Sequence, residues 1–173
     1  MTGANTLNSS NGVLTKFSIF PHAFSTDLSK AYRSVITGDQ TNSIRRFFWF
    51  GDVNDPDSIT EYVLTRMTFG DTPAAFILGE AIDIVAEHPG ISEETRVFLK
   101  SGFYVDDGFL SSMATDKLER ITNEFKGAFP EYSFKVKHIL KTYMESSGIT
   151  NTECVENMLG LAWDFVRDTL VLF

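Results

Sequence analysis

The sequence predicts an α+β fold: a ferredoxin-like antiparallel sheet of the split βαβ kind, with helices on one face. Three observations predict it. Strand-like and helix-like stretches follow the order strand, helix, strands, helices, hairpin, helix, strands. An Asp-Gly pair sits between apolar residues in FYVDDGFLSS (103–112), a strong short-range hairpin signal. The 173 residues are 43% hydrophobic and include 16 Phe, enough for one domain with a real core.

Each element has its own local reason. MTGANTLNSSNG (1–12) is polar, lacks the apolar centre of a signal peptide, and reads as a flexible leader. LTKFSIFPHAFSTD (14–27) has β character at Phe17, Ile19, Phe24 and Thr26, interrupted by Pro21. LSKAYRSVI (28–36) reads as a helix. IRRFFWF (44–50) and TEYVLTRMTF (60–69) read as strands joined by the acidic loop GDVNDPDS (51–58). Thr72 as N-cap and Pro73 in the first turn predict a helix running to about Pro89. Ser92 caps the next helix, with Glu93 and Glu94 where the helix dipole favours acids. Residues 103–113 form the hairpin. Thr115 caps a helix with Leu118, Ile121 and Phe125 along one face. YSFKVKHIL (132–140) reads as a strand, and ENMLGLAWDF with DTLVLF as a second hairpin about Val166, Arg167 and Asp168.

The net charge is −8 and the pI about 4.8, which argues against a broad nucleic-acid-binding surface. The single cysteine, Cys154, has no internal disulfide partner and reads as an inert thiol. No apolar run is long enough to span a bilayer. Cytoplasm or nucleus is the expected location.

Asp106 and Asp107 are the candidate site. Asp107-Gly108 alone reads as a turn, with Asp106 a solvated neighbour. The other reading is a metal site, because adjacent carboxylates repel unless a cation lies between them, and Mg²⁺ prefers oxygen ligands. Asp27, where a strand gives way to a helix, is the third carboxylate that such a sheet could bring alongside. Two metals about 3.5–4 Å apart can serve an in-line phosphoryl transfer. His22, His88 and His138 lack zinc spacing. No nucleophile elbow or phosphate loop appears. Adjacent acids on one hairpin do not straddle a sugar as a glycosidase pair does.

STDLSKAYRSV (25–35), MTFGDTPAAF (67–76), FYVDDGFLSS (103–112) and MLGLAW (158–163) follow one another as do the palm motifs of retroelement reverse transcriptases. From Val13 to Phe173 the chain resembles the BEL/Pao group of long-terminal-repeat retrotransposons, with GEAIDIVAEHPGISEETRVFLKSG as the helical insert before YVDD. The resemblance implies a polymerase palm over 13–173, with a partial fingers insert at about 37–66. It implies Mg²⁺ or Mn²⁺ on Asp27, Asp106 and Asp107. Tyr32 would screen the sugar 2′ position. Phe69 and Gly70 would contact nucleotide and template, and Tyr104 belongs to the same substrate-binding set. Lys137, or Lys135, would protonate pyrophosphate, and Leu159-Gly160 would grip the primer. The implied partners are an RNA or DNA template with primer, deoxynucleoside triphosphates, and the fingers, thumb and RNase H of a polyprotein. The sequence departs from the family where Ala74-Ala75 replaces the usual Ser-Pro or Ala-Pro and the proline moves to Pro73. With 26 residues before Asp27, the expectation is a weak or inactive isolated chain.

Apart from the resemblance, Tyr32, Trp163 and Phe47 to Phe50 read as core aromatics, although Phe47, Phe48, Trp49 and Phe50 could stack on bases. Arg45-Arg46 reads equally as a nucleic-acid contact or a solvated strand end. Two functions follow: a reverse-transcriptase palm, or a catalytically silent retroelement remnant that serves as an interaction module.

Overall fold

The computed structural model describes residues 8–142, 155–159, 161–164, 167 and 169–172. Cys154, Gly160, Val166, Asp168 and most of the expected leader therefore lie outside the described residues.

The central sheet is built from β1 (His22–Leu28), β4 (Phe103–Tyr104), β5 (Asp107–Ser112) and β6 (Val136–Lys141). Its order is β4-β5-β1-β6, every neighbour antiparallel. Residues alternate across it. Phe24 and Leu28 enter the large core beneath α4 (Ala74–Ala86), α5 (Glu93–Ser101) and α6 (Thr115–Ala128). Ala23 and Phe109 enter a smaller cluster on the other face with Val13, Phe17 and Trp163. The three long helices thus cover one face, as the sequence predicts.

Aromatic residues knit the large core. Phe24 meets Phe98 edge-on and stacks on Phe125, and Phe129 meets both Phe103 and Phe134. α5 begins as expected, with Ser92 accepting from the Thr95 N–H.

Several boundaries differ from expectation. Residues 14–17 belong to a helix, α1 (Ser10–Phe17), not to a strand. Ser9 caps it, and Val13 and Phe17, four apart, bury one stripe. The helix expected over 28–36 is a single turn, α2 (Ala31–Ser34), entered through Lys30 at φ 53°. Pro73, not Thr72, is the α4 cap residue, and Ala114, not Thr115, that of α6; neither makes a side-chain cap bond. Residues 129–132 form a 3-10 turn, so β6 starts at Val136.

The expected first pair of strands is a hairpin, β2 (Arg46–Phe50) with β3 (Ile59–Val63), preceded by the short α3 (Asp39–Asn42). Its aromatic residues correct the core assignment: Phe47, Phe48, Trp49 and Phe50 are all exposed. Among the described residues the hairpin pairs with no third strand, so neither edge is extended by a sheet neighbour. β7 (Val155–Met158), β8 (Leu161–Asp164) and β9 (Thr169–Leu172) make a separate three-stranded sheet, which includes the predicted C-terminal hairpin. Trp163 from β8 is fully buried and meets Phe17 edge-on, with ring centroids 4.8 Å apart.

Candidate active site

Three strands converge on the candidate acids. β1 carries Asp27 directly opposite Asp107 of β5 on one side and opposite His138 of β6 on the other. Residues opposite each other in an antiparallel pair share a face. For Asp27 and Asp107 this is the face of Ala23 and Phe109, away from the long helices.

Asp106 sits in the turn itself. Phe103 pairs with Gly108 and Tyr104 with Asp107, which leaves Val105 and Asp106 as the two-residue loop. The chain therefore turns at Val105-Asp106 and not at Asp107-Gly108. Gly108 is needed for a different reason. A Cβ there would lie 2.8 Å from both Phe103 Cζ and Thr26 Cγ2. Its lack of a side chain lets β4, β5 and β1 close up. Val105 has φ 59°, a left-handed conformation that a β-branched residue adopts only under constraint. Part of that constraint is visible, since the Leu28 N–H donates to the Asp106 carbonyl at 3.1 Å.

Electrostatics mark Asp106. Burial pushes its carboxyl above the usual 3.8, and the Asp27 charge adds to the rise; a backbone hydrogen bond and Lys137 only partly offset them. Asp27 is held by Lys137, whose Nζ donates to Asp27 Oδ2 at 2.8 Å. The contact is made by Lys137, whereas Lys135 lines a separate cleft with Phe134 and Lys126. Among the described residues no three His, Cys, Asp or Glu side chains are grouped closely enough to hold a metal. The Asp27 carboxylate is instead engaged by Lys137. The donor set nonetheless suits a hard divalent ion. All three candidates are carboxylates on strands or a pinned turn, and a cation would relieve the repulsion on ionised Asp106.

Two clefts meet at Asp106 and Asp107. One, of about 240 Å³, is lined by Asp27, Lys137, His138 and Asn157. The other, of about 750 Å³, is lined by Lys30, Tyr32, Arg33, Phe69, Tyr104 and Leu159. Tyr32 is half-buried against the core, and its ring meets Phe69 edge-on at 6.0 Å. Burial, and then the Asp106 charge, push its phenol above the usual range. Gly70 takes φ 93° in the turn after Phe69, a conformation that suits glycine. Leu159, at φ 51°, reaches the same cleft from the β7–β8 turn.

The structure therefore brings Asp27, Asp106, Asp107, Lys137, Tyr32, Phe69, Tyr104 and Leu159 around two adjoining clefts. Sequence reasoning misses Lys30 and Arg33. The signal is present: two cations flank Tyr32 shortly after Asp27. Arg45 is not a solvated strand end: its nearly buried guanidinium pairs with Asp71 at 2.9 Å and donates to Thr68. Arg46 pairs with Glu61 on the exposed hairpin.

No protein-family model and no curated protein matches the sequence. Solved structures do match. The foamy viral protease-reverse transcriptase in complex with an RNA/DNA hybrid aligns with a TM-score of 0.58 and 20% identity, over 96% of this chain and 19% of that one. The same enzyme in complex with dsDNA aligns with a TM-score of 0.64 and 18% identity, over 100% of this chain and 30% of that one. The native Prototype Foamy Virus enzyme gives 0.51 at 16% identity, over 75% and 15%. The chain has a reverse-transcriptase-like fold. At these identities the likeness concerns the fold alone, and the chain spans less than a third of the length of these structures.

Proposed function

We propose that the chain is the palm of a BEL/Pao-type RNA-directed DNA polymerase, adding deoxynucleotides to a primer 3′-hydroxyl. The observation that carries this reading is the register that sets Asp27 opposite Asp107, with Asp106 in the turn between two clefts. Asp27, Asp106 and Asp107 would hold Mg²⁺ or Mn²⁺, which supplies charge stabilisation to the attacking and leaving oxygens. Lys30 and Arg33 give the larger cleft positive charge suited to a triphosphate. Tyr32 lines the same cleft, where its ring would lie beneath the sugar and exclude a 2′-hydroxyl. Phe69 lines the cleft beside it, and with Gly70 in the turn that follows would face the template. Leu159, with Gly160 after it, would meet the primer end. Lys137 carries a proton that could pass to the leaving pyrophosphate, once its hydrogen bond to Asp27 is released. Phosphoryl transfer depends chiefly on such positioning and charge.

A second reading, a silent retroelement remnant acting as an interaction module, is favoured by the Asp27–Lys137 pair, the −8 charge and the exposed aromatic hairpin. Primer extension separates the two. A labelled primer on an RNA template is incubated with Mg²⁺ or Mn²⁺ and either the wild-type chain or its Asp106→Asn, Asp107→Asn variant. Extension by the wild-type chain that the variant lacks supports the polymerase. Equal extension by both removes the acids from the chemistry. Silence from both, with circular dichroism showing folded protein, supports either the remnant or a palm that is inactive as an isolated fragment. The acidic surface repels phosphate, so any extension by the 173-residue chain is expected to be slow and to respond to salt.

A further inference from the structure

We propose that Lys137 is a built-in counter-cation that competes with divalent metal for Asp27, so that metal can bind only as the lysine leaves. The inference rests on the polymerase reading of the acids and goes beyond it by assigning Lys137 a role before any nucleotide arrives. Geometry carries it. The Lys137 ammonium donates to Asp27 Oδ2 at 2.8 Å, from the strand next to β1. The same lysine lines the smaller cleft together with Asp27, Asp106 and Asp107. Its charge also acts on Asp106, where it opposes the rise caused by burial and by Asp27. A single ammonium therefore influences two of the three acids.

The consequences follow from charge and exposure. A carboxylate oxygen engaged by an ammonium is a poorer ligand for a second cation, and two cations sharing a small cleft repel each other. The lysine is well placed to move. Its side chain is 59% exposed, against 22% for Asp27, so the ammonium is the more solvent-accessible partner of the pair. An ion pair this exposed is weak. Lys137 should therefore moderate metal affinity without abolishing it. The ammonium satisfies Asp27 until a metal, or a metal brought by a triphosphate, displaces it. The displaced lysine is then free to face an incoming phosphate, which couples metal entry to the arrival of a positive charge at the substrate.

The test is Mn²⁺ binding by the 173-residue chain, followed by the loss of the free-ion electron paramagnetic resonance signal. Lys137→Gln should bind Mn²⁺ about 1.5-fold to fivefold more tightly than wild type, as expected for removal of an exposed pair. Lys137→Arg, which keeps the charge, should stay near wild type. Equal or weaker binding by Lys137→Gln overturns the proposal. So does tightening that persists in full in an Asp27→Asn background, because long-range charge and not displacement then explains it. Binding that Asp106→Asn, Asp107→Asn removes, with no change in Lys137→Gln, overturns this inference alone. Mn²⁺ binding that is absent from both wild type and Lys137→Gln, or that the double variant leaves intact, overturns the metal role of the acids as well.

Discussion

Asp27 and Asp107 stand directly opposite each other across the β1–β5 ladder, although 80 positions separate them in the chain (107 less 27). The relationship is a matter of register. A slip of one residue in either strand would send one carboxylate to the opposite face, into the helix-covered core. Whatever fixes the register therefore fixes the site.

Gly108 is one such device. Gly108→Ala would push a methyl group to 2.8 Å from the Phe103 ring and the Thr26 methyl, and Phe103 and Thr26 are themselves buried. The substitution should destabilise the fold by about 1–3 kcal/mol, the usual range for overpacking. Urea unfolding with fluorescence or circular dichroism detection measures this. A variant as stable as wild type would mean that β5 has room to spare against β1.

Trp163 ties the C-terminal sheet to the central one. It is fully buried in the smaller cluster, edge-on to Phe17. Trp163→Ala should cost about 3–5 kcal/mol. Trp163→Phe should recover much of that loss. Chemical denaturation of the two variants provides the comparison, and an equal loss in both would point away from simple packing.

Glu124 gives a pH-dependent test. Burial pushes its carboxyl up, but donors from Thr95 and from the Ser92 hydroxyl and N–H outweigh burial and hold it below the usual 4.5. The bonds from Ser92 measure 2.7 Å and 2.9 Å. In the window between the lowered value and 4.5 the unfolded chain binds more protons than the folded one. The stabilisation is therefore complete above 4.5 and lost as pH falls through the folded value. Glu124→Gln should cost about 1 kcal/mol at neutral pH, a modest hydrogen-bond loss. Melting temperatures across pH should show the two proteins converging in acid. A gap that persists there would assign the effect to shape and not to charge.

Local causes are the ones legible in the sequence. The 103–113 hairpin, the Ser92 cap and the helix containing Leu118, Ile121 and Phe125 can all be read because each has such a cause. α1 is hidden because Phe17, Ile19 and Phe24 look strand-like together, whereas Phe17 belongs to a helical stripe with Val13 and only Phe24 lies in a strand. The position of the turn is obscured for a similar reason. Asp-Gly signals a turn by local preference, but Gly108 is required by the approach of Phe103 and Thr26, a tertiary demand that overrides it. Asp27 can be nominated from its place at a strand end. Its engagement by Lys137, 110 positions away, has no local signature.

Tyr32 tests the sugar-side reading. Its ring lines the larger cleft beside Phe69 and Asp106. In a polypeptide extended with flanking polymerase domains, Tyr32→Ala should admit ribonucleotides much more readily, while Tyr32→Phe should not. Incorporation ratios for matched ribo- and deoxynucleotides give the readout. Unchanged discrimination would return Tyr32 to a packing role alone.

Binding of a divalent metal by Asp27, Asp106 and Asp107, once Lys137 withdraws, is the central claim. An anomalous difference map from crystals of the chain saturated with Mn²⁺ tests it most directly. The prediction is a peak shared by the Asp27 and Asp106 carboxylates, with the Lys137 ammonium no longer bonded to Asp27. Saturated crystals with no peak at these residues, and Lys137 still on Asp27, would contradict it.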